Sequence, residues 1–301
     1  MDEIASAHTV SVARMTAERI LAREGVSDPA ADARALLAYA IGCDRSRVAI
    51  EGARELSERE SGRLQAALRQ RLDGRTVGRI VGERAFHDIV LATADDVLEP
   101  RDDTGALVEL VLRQVRDRSA LRVWDIGVGA GTVVLSLLHA LPGATALGTD
   151  VNPNALWLTE RNARAMGVED RLTLRAMDGL SAVDQFDLIV SNPPYIRSGE
   201  IGGLAPEARV DPRAALDGGA DGLMFYRLIA GNARARLRKG GFVAVEIGHD
   251  QEEDVTAIFR AHGWTRVDCE RDLGGHVRAL AFAARPGSSE ASGENRAGGP
   301  A

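Results

Sequence analysis

The sequence predicts a doubly wound α/β domain preceded by a small helical domain. Helix-forming residues dominate residues 1–73, where strand formers are few. From Leu121 onward, strand and helix patterns alternate, and several of the strand patterns are continuous apolar runs. Such runs are typical of a parallel sheet that helices cover on both faces. A glycine-rich turn directly follows the first of these strands, and together with the alternation it predicts a Rossmann-like fold.

The helical domain, residues 1–73, contains two patterns that mark the start of a helix. Asp28-Pro29 is typical of an N-cap followed by proline at the first helical position. Ser57 and Glu60 form a capping-box pattern. We interpret this domain as a candidate surface for a partner. Apolar residues recur at helical spacing after both starts: Leu36, Leu37, Ala40 and Ile41, then Leu64, Leu68 and Leu72.

Residues 74–100 change character and are predicted to form a linker with a short hairpin. Gly74, Gly78 and Gly82 punctuate this segment, and a short strand-like piece runs from Asp88 to Leu91. Pro100 then precedes a predicted helix whose apolar residues are Leu107, Val108, Val111 and Leu112.

The α/β domain is predicted over residues 101–285, and residues 286–301, which lack an apolar anchor, are predicted to be disordered. An antiparallel pair around Gly274-Gly275 is expected to end the sheet. The predicted strands are Leu121–Ile126, Thr145–Asp150, Arg171–Arg175, Phe186–Ser191, Gly241–Ile247, Trp264–Cys269 and Val277–Ala284. The predicted helices between them are Val133–Leu141, Asn154–Met166, Leu223–Leu237 and Gln251–His262.

The composition narrows the classes of function. Of the 301 residues 45% are apolar and 27% are charged, as in ordinary globular proteins. No run approaches the ~20 apolar residues that span a bilayer, and residues 1–13 lack the pattern of a secretory signal, so we expect a cytoplasmic location and no membrane partner. Cys43 and Cys269 lack metal-ligand spacing, and no metal site is predicted. The net charge of −7 argues against nucleic acid as the direct substrate.

The glycine-rich turn, residues 125–131, is the first candidate site. Its sequence, Asp-Ile-Gly-Val-Gly-Ala-Gly, lets the backbone turn sharply and approach a ligand closely. Asp150 ends the second strand about twenty residues later, where a carboxylate accepts hydrogen bonds from ribose hydroxyls. These features alone fit a nicotinamide dinucleotide equally well.

The glycine spacing favours a different cofactor. Dinucleotide sites prefer Gly-x-Gly-x-x-Gly, which presents a helix N-terminus to a pyrophosphate, whereas this turn has Gly-x-Gly-x-Gly after an acidic residue. S-adenosylmethionine has no phosphate, and its cationic groups favour nearby acidic oxygens. Asp178, which follows the third strand, is placed to accept from the adenine amino group. The predicted cofactor-binding residues from this reasoning are Asp125, Gly127, Val128, Gly129, Ala130, Gly131, Asp150 and Asp178.

The tetrapeptide Asn192-Pro193-Pro194-Tyr195 is the second candidate site. It directly follows the predicted strand Phe186–Ser191, and ligands bind at the carboxyl ends of such strands. An amide nitrogen is a poor nucleophile, and its two N–H groups need acceptors that hold it in line with a methyl donor. The Asn192 oxygen and a carbonyl of the Pro-Pro segment are suited to this role, and the prolines make the loop rigid. Tyr195 is expected to stack on a flat substrate.

The two motifs and the segment after them resemble the release factor glutamine methyltransferases. The resemblance covers roughly residues 10–285 and extends to Gly82-Glu83-Arg84 with Phe86. The most specific part is the run Asp-Pro-Arg-Ala-Ala-Leu-Asp-Gly-Gly-Ala-Asp-Gly-Leu over residues 211–223, with Tyr226-Arg227. Gly240-Gly241, Glu246-Ile247-Gly248 and Gln251 also match.

The resemblance implies a class I methyltransferase fold and methylation of the glutamine amide in the Gly-Gly-Gln motif of class I peptide chain release factors. S-adenosylmethionine would be the cofactor, and the helical domain would dock the protein substrate. The resemblance adds Gly179 and Asn192 to the cofactor-binding residues, names Asn192, Pro193 and Tyr195 as catalytic, and places Phe86 with Asn192, Pro193, Pro194 and Tyr195 at the substrate.

The sequence departs from the family pattern at three positions. Gly105 stands where an acidic residue is usual, at the end of Pro100-Arg101-Asp102-Asp103-Thr104-Gly105. Val128 replaces a usual threonine, and His87 follows Phe86 where another aromatic residue is common. Three other functions remain open on the sequence alone: methylation of glutamine in a ribosomal protein, methylation of adenine N6 in nucleic acid, and cofactor binding without turnover.

Overall fold

The computed structural model describes residue 4 and residues 8–116, 118, 120–178 and 184–285. The predicted disordered tail and Gly179 lie outside these residues. The first part of the chain is helical, and its helices are α1 (Val10–Arg23), α2 (Pro29–Ile41), α3 (Arg47–Ile50), α4 (Glu58–Leu72) and α5 (Val77–Val81). Within the described residues, no helix is both long enough and apolar enough to cross a membrane.

Side-chain caps mark where α2 and α4 begin. Asp28 accepts a hydrogen bond from the Ala31 N–H at 3.0 Å, ahead of Pro29. Ser57 and Glu60 form the capping box at the start of α4. These helices share a core that is separate from that of the sheet. Its largest fully buried side chains include Ile4, Leu21, Leu36, Leu37, Leu64 and Leu68.

A two-stranded hairpin, β1 (Glu83–Phe86) and β2 (Ile89–Ala92), connects the helices to the α/β domain. His87 lies in its turn with φ of 47°, a left-handed conformation that non-glycine residues rarely adopt. Phe86, Ile89 and Leu91 of the hairpin are buried in the core beneath the main sheet. The hairpin is therefore packed onto the α/β domain.

The α/β domain is built on a seven-stranded sheet with the strand order β5-β4-β3-β6-β7-β9-β8. The strands from β3 to β7 pair in parallel, and β9 is antiparallel to both β7 and β8. This topology confirms the predicted doubly wound fold. The strands are β3 (Arg122–Ile126), β4 (Thr145–Asp150), β5 (Leu172–Ala176), β6 (Phe186–Ser191), β7 (Leu237–Glu246), β8 (Trp264–Arg271) and β9 (Val277–Ala284).

Helices cover both faces of this sheet. One face packs against residues of α6 (Gly105–Gln114), α7 (Thr132–Ala140) and α8 (Pro153–Met166), and the other packs against α10 (Met224–Asn232) and α11 (Glu252–Ala261). A short helix, α9 (Pro206–Arg209), lies in the segment between β6 and α10. Alternate residues of each central strand therefore enter opposite cores, which explains their continuous apolar runs.

One predicted helix and the strand after it have different boundaries in the structure. The helix predicted over Leu223–Leu237 ends at Asn232 and is followed by a short 3-10 turn, Ala233–Arg236. The next strand begins at Leu237, four residues before the predicted Gly241, because Leu237 already pairs with Phe186. Local spacing favoured a longer helix, and pairing with a neighbouring strand overrode it.

Candidate active site

Both candidate motifs meet at the point where the strand order of the sheet reverses. The central strand β3 has β4 on one side and β6 on the other, so the loops after β3 and β6 leave the same edge in different directions. The Ser191 hydroxyl donates to the Ile126 carbonyl at 2.7 Å and joins the two loops. The structure thus brings together two segments that are 65 residues apart in sequence.

The glycine-rich turn has the backbone conformation that glycine permits. Gly127, Gly129 and Gly131 have φ of 76°, 56° and 85°. A Cβ at Gly131 would lie 2.6 Å from a methyl carbon of Leu135, whereas Cβ atoms at Gly127 and Gly129 would meet nothing within 4 Å. The first two glycines therefore border open space in which a ligand fits.

Two polar residues of α8 support this turn and were not predicted. The Thr159 hydroxyl donates to the Gly129 carbonyl at 2.8 Å. Asn162 donates to the Ala130 carbonyl at 2.9 Å and accepts from the Ala92 N–H at 2.8 Å, so it joins the turn to the hairpin. Both residues are buried. Residues at this spacing share a face on every α-helix, so no pattern in the sequence marks Thr159 and Asn162 as supports of the turn.

Two carboxyl groups lie against the turn. Asp150 accepts from the Gly129 N–H at 3.0 Å and, through its other oxygen, from the Asn152 N–H at 2.8 Å. Asp125 is buried and accepts from the Val134 N–H at 3.1 Å. Burial and, to a smaller extent, the charge of Asp150 together raise the pKa of Asp125 to about 8, against the lowering effect of the hydrogen bond from Val134 N–H. A cationic ligand beside this pair would favour the ionised form of Asp125.

A cavity of about 180 Å³ extends from the turn to the Asn-Pro-Pro loop. Its lining combines acidic and amide side chains with apolar ones, as small-molecule sites commonly do. A smaller cavity beside it shares Gly127, Gly129 and Asn192 and includes Thr104 and Asp125. Predicted residues that line the larger cavity are Gly127, Gly129, Asp150, Asp178, Asn192, Pro193 and Pro194.

The side chain of Asn192 is held from one side. Its Nδ2 donates to the hydroxyl of Thr104, which is buried at the start of α6, at 3.1 Å. The amide oxygen of Asn192 is the remaining polar atom of the side chain. Asn192 lines both cavities, so it lies where the two candidate ligands would meet.

Tyr195, for which stacking on the substrate is predicted, makes several contacts within the protein. Its hydroxyl donates to Glu246 Oε1 at 3.3 Å, and its ring packs against the core on the α10 and α11 face of the sheet. Its carbonyl accepts from Gln251 Nε2 at 3.0 Å. Burial, with the nearby Glu246 carboxylate, raises the pKa of Tyr195 well above its usual value. These contacts anchor the end of the loop.

Phe86, which is predicted at the substrate, does not line the cavity in the structure. It is 2% exposed and lies in the core with other residues of the hairpin, so the structure does not bring it to the cavity. From the sequence alone, an aromatic residue next to a hairpin turn is equally suited to packing in the core and to stacking on a ligand. Its burial in the structure shows that the ring packs in the core.

The departures at residues 87 and 105 are in contact with each other. A Cβ on Gly105 would collide with the His87 ring, which therefore occupies the space of a side chain at residue 105. The His87 Nδ1 also lies 3.5 Å from a carboxylate oxygen of Glu109. The aromatic ring and the glycine are thus a matched pair in this chain.

Val128 is explained by packing. A Cβ at Gly148 of β4 would lie 3.0 Å from a Val128 methyl, so the Val128 side chain covers that glycine and is 4% exposed. A hydroxyl in its place would need a partner within the core. Among the described residues, no group of three His, Cys, Asp or Glu side chains is arranged to hold a metal ion.

Comparison with known proteins identifies relatives of both domains. A family model described as PrmC N-terminal domain matches residues 13–82, and one described as Methyltransferase small domain matches residues 101–205. A release factor glutamine methyltransferase of Agrobacterium fabrum is 40% identical over 280 residues, which cover 91% of this chain and 97% of the relative. One of Rhodospirillum rubrum is 42% identical over 258 residues, which cover 85% of this chain and 79% of the relative.

Solved structures confirm the fold of the α/β domain. The hMettl16 catalytic domain in complex with MAT2A 3'UTR hairpin 6 aligns with a TM-score of 0.52 at 16% identity. The alignment covers 77% of this chain and 84% of that chain. At this identity the likeness concerns the fold alone.

Proposed function

The chain belongs to the family of release factor glutamine methyltransferases, and from that premise we propose that it transfers a methyl group from S-adenosylmethionine to the side-chain amide of a glutamine in a release factor. The observation that carries this proposal is that Asn192 lines the same cavity as the glycine-rich turn and Asp150. A hydrogen-bond acceptor for the weakly nucleophilic amide nitrogen and a site for the methyl donor would therefore lie in the same cavity.

The residues around the cavity fit S-adenosylmethionine. Gly127 and Gly129 border open space, and both Asp150 and Asp178 line the cavity. Asp150 would accept hydrogen bonds from the ribose hydroxyls, and Asp178 from the adenine amino group. Asp125 provides a carboxyl group for a cationic ligand. When bound, the cofactor would supply an electrophilic methyl group on a sulfonium. Among the described residues that line the larger cavity, the charged side chains are the carboxylates of Asp96, Asp150 and Asp178, which favours this cofactor over a dinucleotide. Arg101, which lines the smaller cavity, is paired with Asp211.

Asn192 and Pro193 would hold the substrate nitrogen. The Asn192 oxygen would accept one N–H of the glutamine amide and the Pro193 carbonyl the other, which orients the nitrogen lone pair toward the methyl donor. The same two oxygens would stabilise the positive charge that develops on the nitrogen. Because proline restricts φ, the loop needs little reorganisation to do so.

Contacts within the loop favour the Pro193 carbonyl as the second acceptor over the carbonyls of Pro194 and Tyr195. The Pro194 carbonyl faces Gly218, where a Cβ would approach it to 2.8 Å. The Tyr195 carbonyl already accepts from Gln251. Among the described residues neither the Pro193 nor the Pro194 carbonyl accepts a backbone hydrogen bond, and we choose the Pro193 carbonyl because Gly218 crowds that of Pro194.

The release factor as substrate rests on the names of the relatives and on the match of the N-terminal family model. We place the methylated glutamine in the Gly-Gly-Gln motif of class I peptide chain release factors, as the resemblance implies. The helical domain, residues 1–73, would dock the protein substrate, while the α/β domain and the segment directly before it line the cavities.

Mass spectrometry of a release factor incubated with this protein and S-adenosylmethionine tests the proposal. We expect the factor to gain the mass of one methyl group in place of hydrogen, located on the motif glutamine. A factor with that glutamine replaced by alanine is the control and should remain unmodified. Methylation of a ribosomal protein or of adenine N6 in added nucleic acid, with no change in the release factor, would contradict it.

We expect Asp150→Asn to weaken binding of S-adenosylmethionine by about tenfold to a hundredfold, as loss of charge-assisted hydrogen bonds commonly does. The substitution removes the carboxylate that accepts from Gly129 and would accept from the ribose. Isothermal titration measures the effect. Asp187→Asn is the matched control, because Asp187 also accepts a backbone N–H, that of Arg122, but at the start of β3 and away from the cavity. Equal affinities for the two variants would contradict the role of Asp150.

A further inference from the structure

We propose that Glu99 is a positioning residue for the cofactor: its carboxylate holds a strap, residues 95–101, in place along the cavities, and Gly78 leaves the room that this carboxylate needs. The inference rests on the proposed function, because it takes S-adenosylmethionine as the ligand of these cavities. Residues 96–98 of the strap line the larger cavity, and residues 98–101 line the smaller one. The strap therefore borders both parts of the space proposed for the cofactor.

The Glu99 carboxylate is buried and ties the strap to elements that precede it in the chain. One oxygen accepts a hydrogen bond from the hydroxyl of Thr76, the residue before α5, and the other accepts from Arg84 of β1 at 3.1 Å. The Glu99 side chain is 0% exposed, so water does not compete for these contacts. Arg79 of α5 lies 3.7 Å away and adds a second positive charge. Moving this carboxylate is costly, because each contact that is lost leaves a buried charge less well compensated.

The backbone of the strap is held by α5 and by the start of α8. Arg79 donates to the carbonyls of Asp95 and Val97 at 2.6 and 3.0 Å. Asn152, the residue before α8, donates to the Asp96 carbonyl at 2.7 Å. Part of the anchorage of the strap therefore comes from the last of the N-terminal helices, outside the α/β domain.

Gly78 of α5 makes room for the Glu99 carboxylate. A Cβ at Gly78 would collide with Glu99 Oε1, and it would lie 3.0 Å from the carboxyl carbon and 3.5 Å from the Cβ of Arg84. Glycine is less favourable than alanine inside a helix, and the close approach of Glu99 gives a physical reason for it here. An alanine methyl at this position would displace the carboxylate from its hydrogen-bond donors, and the strap with it.

The position of the strap should affect how tightly the cofactor binds. A cavity wall that is already in place needs no ordering when a ligand binds, whereas a displaced wall must be ordered at that moment, which weakens binding. The strap supplies Val97 and Leu98 to the larger cavity, beside Asp150 and Asn152. Through Glu99, the N-terminal helices would thus contribute to cofactor affinity without contacting the glycine-rich turn.

Titration of the full chain with S-adenosylmethionine tests the space at residue 78. We expect Gly78→Ala to raise the dissociation constant by about tenfold, because the cofactor must then order the strap as it binds. Gly62→Ala is the matched control, because Gly62 lies within α4 and a Cβ there would meet nothing within 4 Å. The control should bind like the unmodified chain. Each titration is made well below the melting temperature that circular dichroism gives for that variant.

A second variant tests the charge of Glu99. Glu99→Gln retains the shape of the side chain but weakens its hydrogen bonds, since charge-assisted bonds are roughly twice as strong as neutral ones. We expect the dissociation constant to rise by about threefold to tenfold. Glu60→Gln is the matched control. The Glu60 carboxylate also accepts from a hydroxyl, that of Ser57 at 2.9 Å, and from an arginine, Arg54 at 3.0 Å, but Glu60 lines neither cavity.

The outcomes separate this inference from the proposed function. Either variant is sufficient: one that melts cooperatively and binds S-adenosylmethionine as tightly as its control would overturn the role of Glu99. A lower melting temperature with unchanged affinity is the result expected of a contact that only stabilises the fold, and it would overturn that role too. If the unmodified chain binds the cofactor but leaves the release factor unmethylated, the proposed function fails, and the titrations still decide the inference. If the unmodified chain does not bind the cofactor, both fail.

Discussion

Asn192→Ala is expected to lower the turnover of glutamine methylation by at least ~10²-fold, comparable to removing one oriented transition-state partner. The substitution removes the oxygen that would accept an amide N–H and offset the charge developing on the nitrogen. The affinity for S-adenosylmethionine should change little, because the glycine-rich turn and Asp150 contact each other without Asn192. The loss should therefore appear in kcat.

Single-turnover assays with titrated cofactor measure both quantities. Asn232→Ala is the matched control, because Asn232 is exposed and its side chain bonds only the Leu228 carbonyl of its own helix. Its turnover should match that of the unmodified chain. A turnover of Asn192→Ala within a few-fold of that control would remove Asn192 from the mechanism.

Arg79→Met is expected to lower the free energy of unfolding by ~3–5 kcal/mol, the cost of breaking a buried ion pair on one side. Arg79 of α5 lies 2.5 Å from Asp211, and their side chains are 2% and 0% exposed. Arg79 also donates to the carbonyls of Asp95 and Val97 at 2.6 and 3.0 Å. Methionine retains much of the volume but leaves these buried acceptors with fewer donors. Arg101 remains as the second partner of Asp211.

Urea unfolding followed by circular dichroism measures this effect. Arg227→Met is the matched control, because Arg227 pairs with Asp221 at 2.6 Å with both side chains 50% exposed. Exposed pairs contribute at most ~1 kcal/mol, since water and salt screen them. A loss for Arg79→Met no larger than for Arg227→Met would show that the buried pair does not stabilise the contact between α5 and the segment after α9.

Local patterns in the sequence determined much of this protein. The capping residues Asp28 and Ser57, the glycines of the turn and the apolar strands act through near neighbours or through burial of one face, so their spacing predicts the elements. The rule that ligands bind at the carboxyl ends of parallel strands pointed to the Asn192 loop, and the resemblance added Asn192 to Asp150 at the cofactor. In the structure both residues line one cavity.

The tertiary structure decided the contacts that join distant segments. Thr104 and Asn192 come from different elements, and no spacing within one element reveals that they meet. The same holds for the His87 ring, which fills the space beside Gly105. The two departures from the family pattern, at residues 87 and 105, are therefore explained by one packing contact. The burial of Phe86 in the core likewise depends on how the hairpin packs onto the sheet. The direction of a side chain and its exclusion from water depend on how the helices pack against the sheet. The spacing of residues along the sequence does not contain this information.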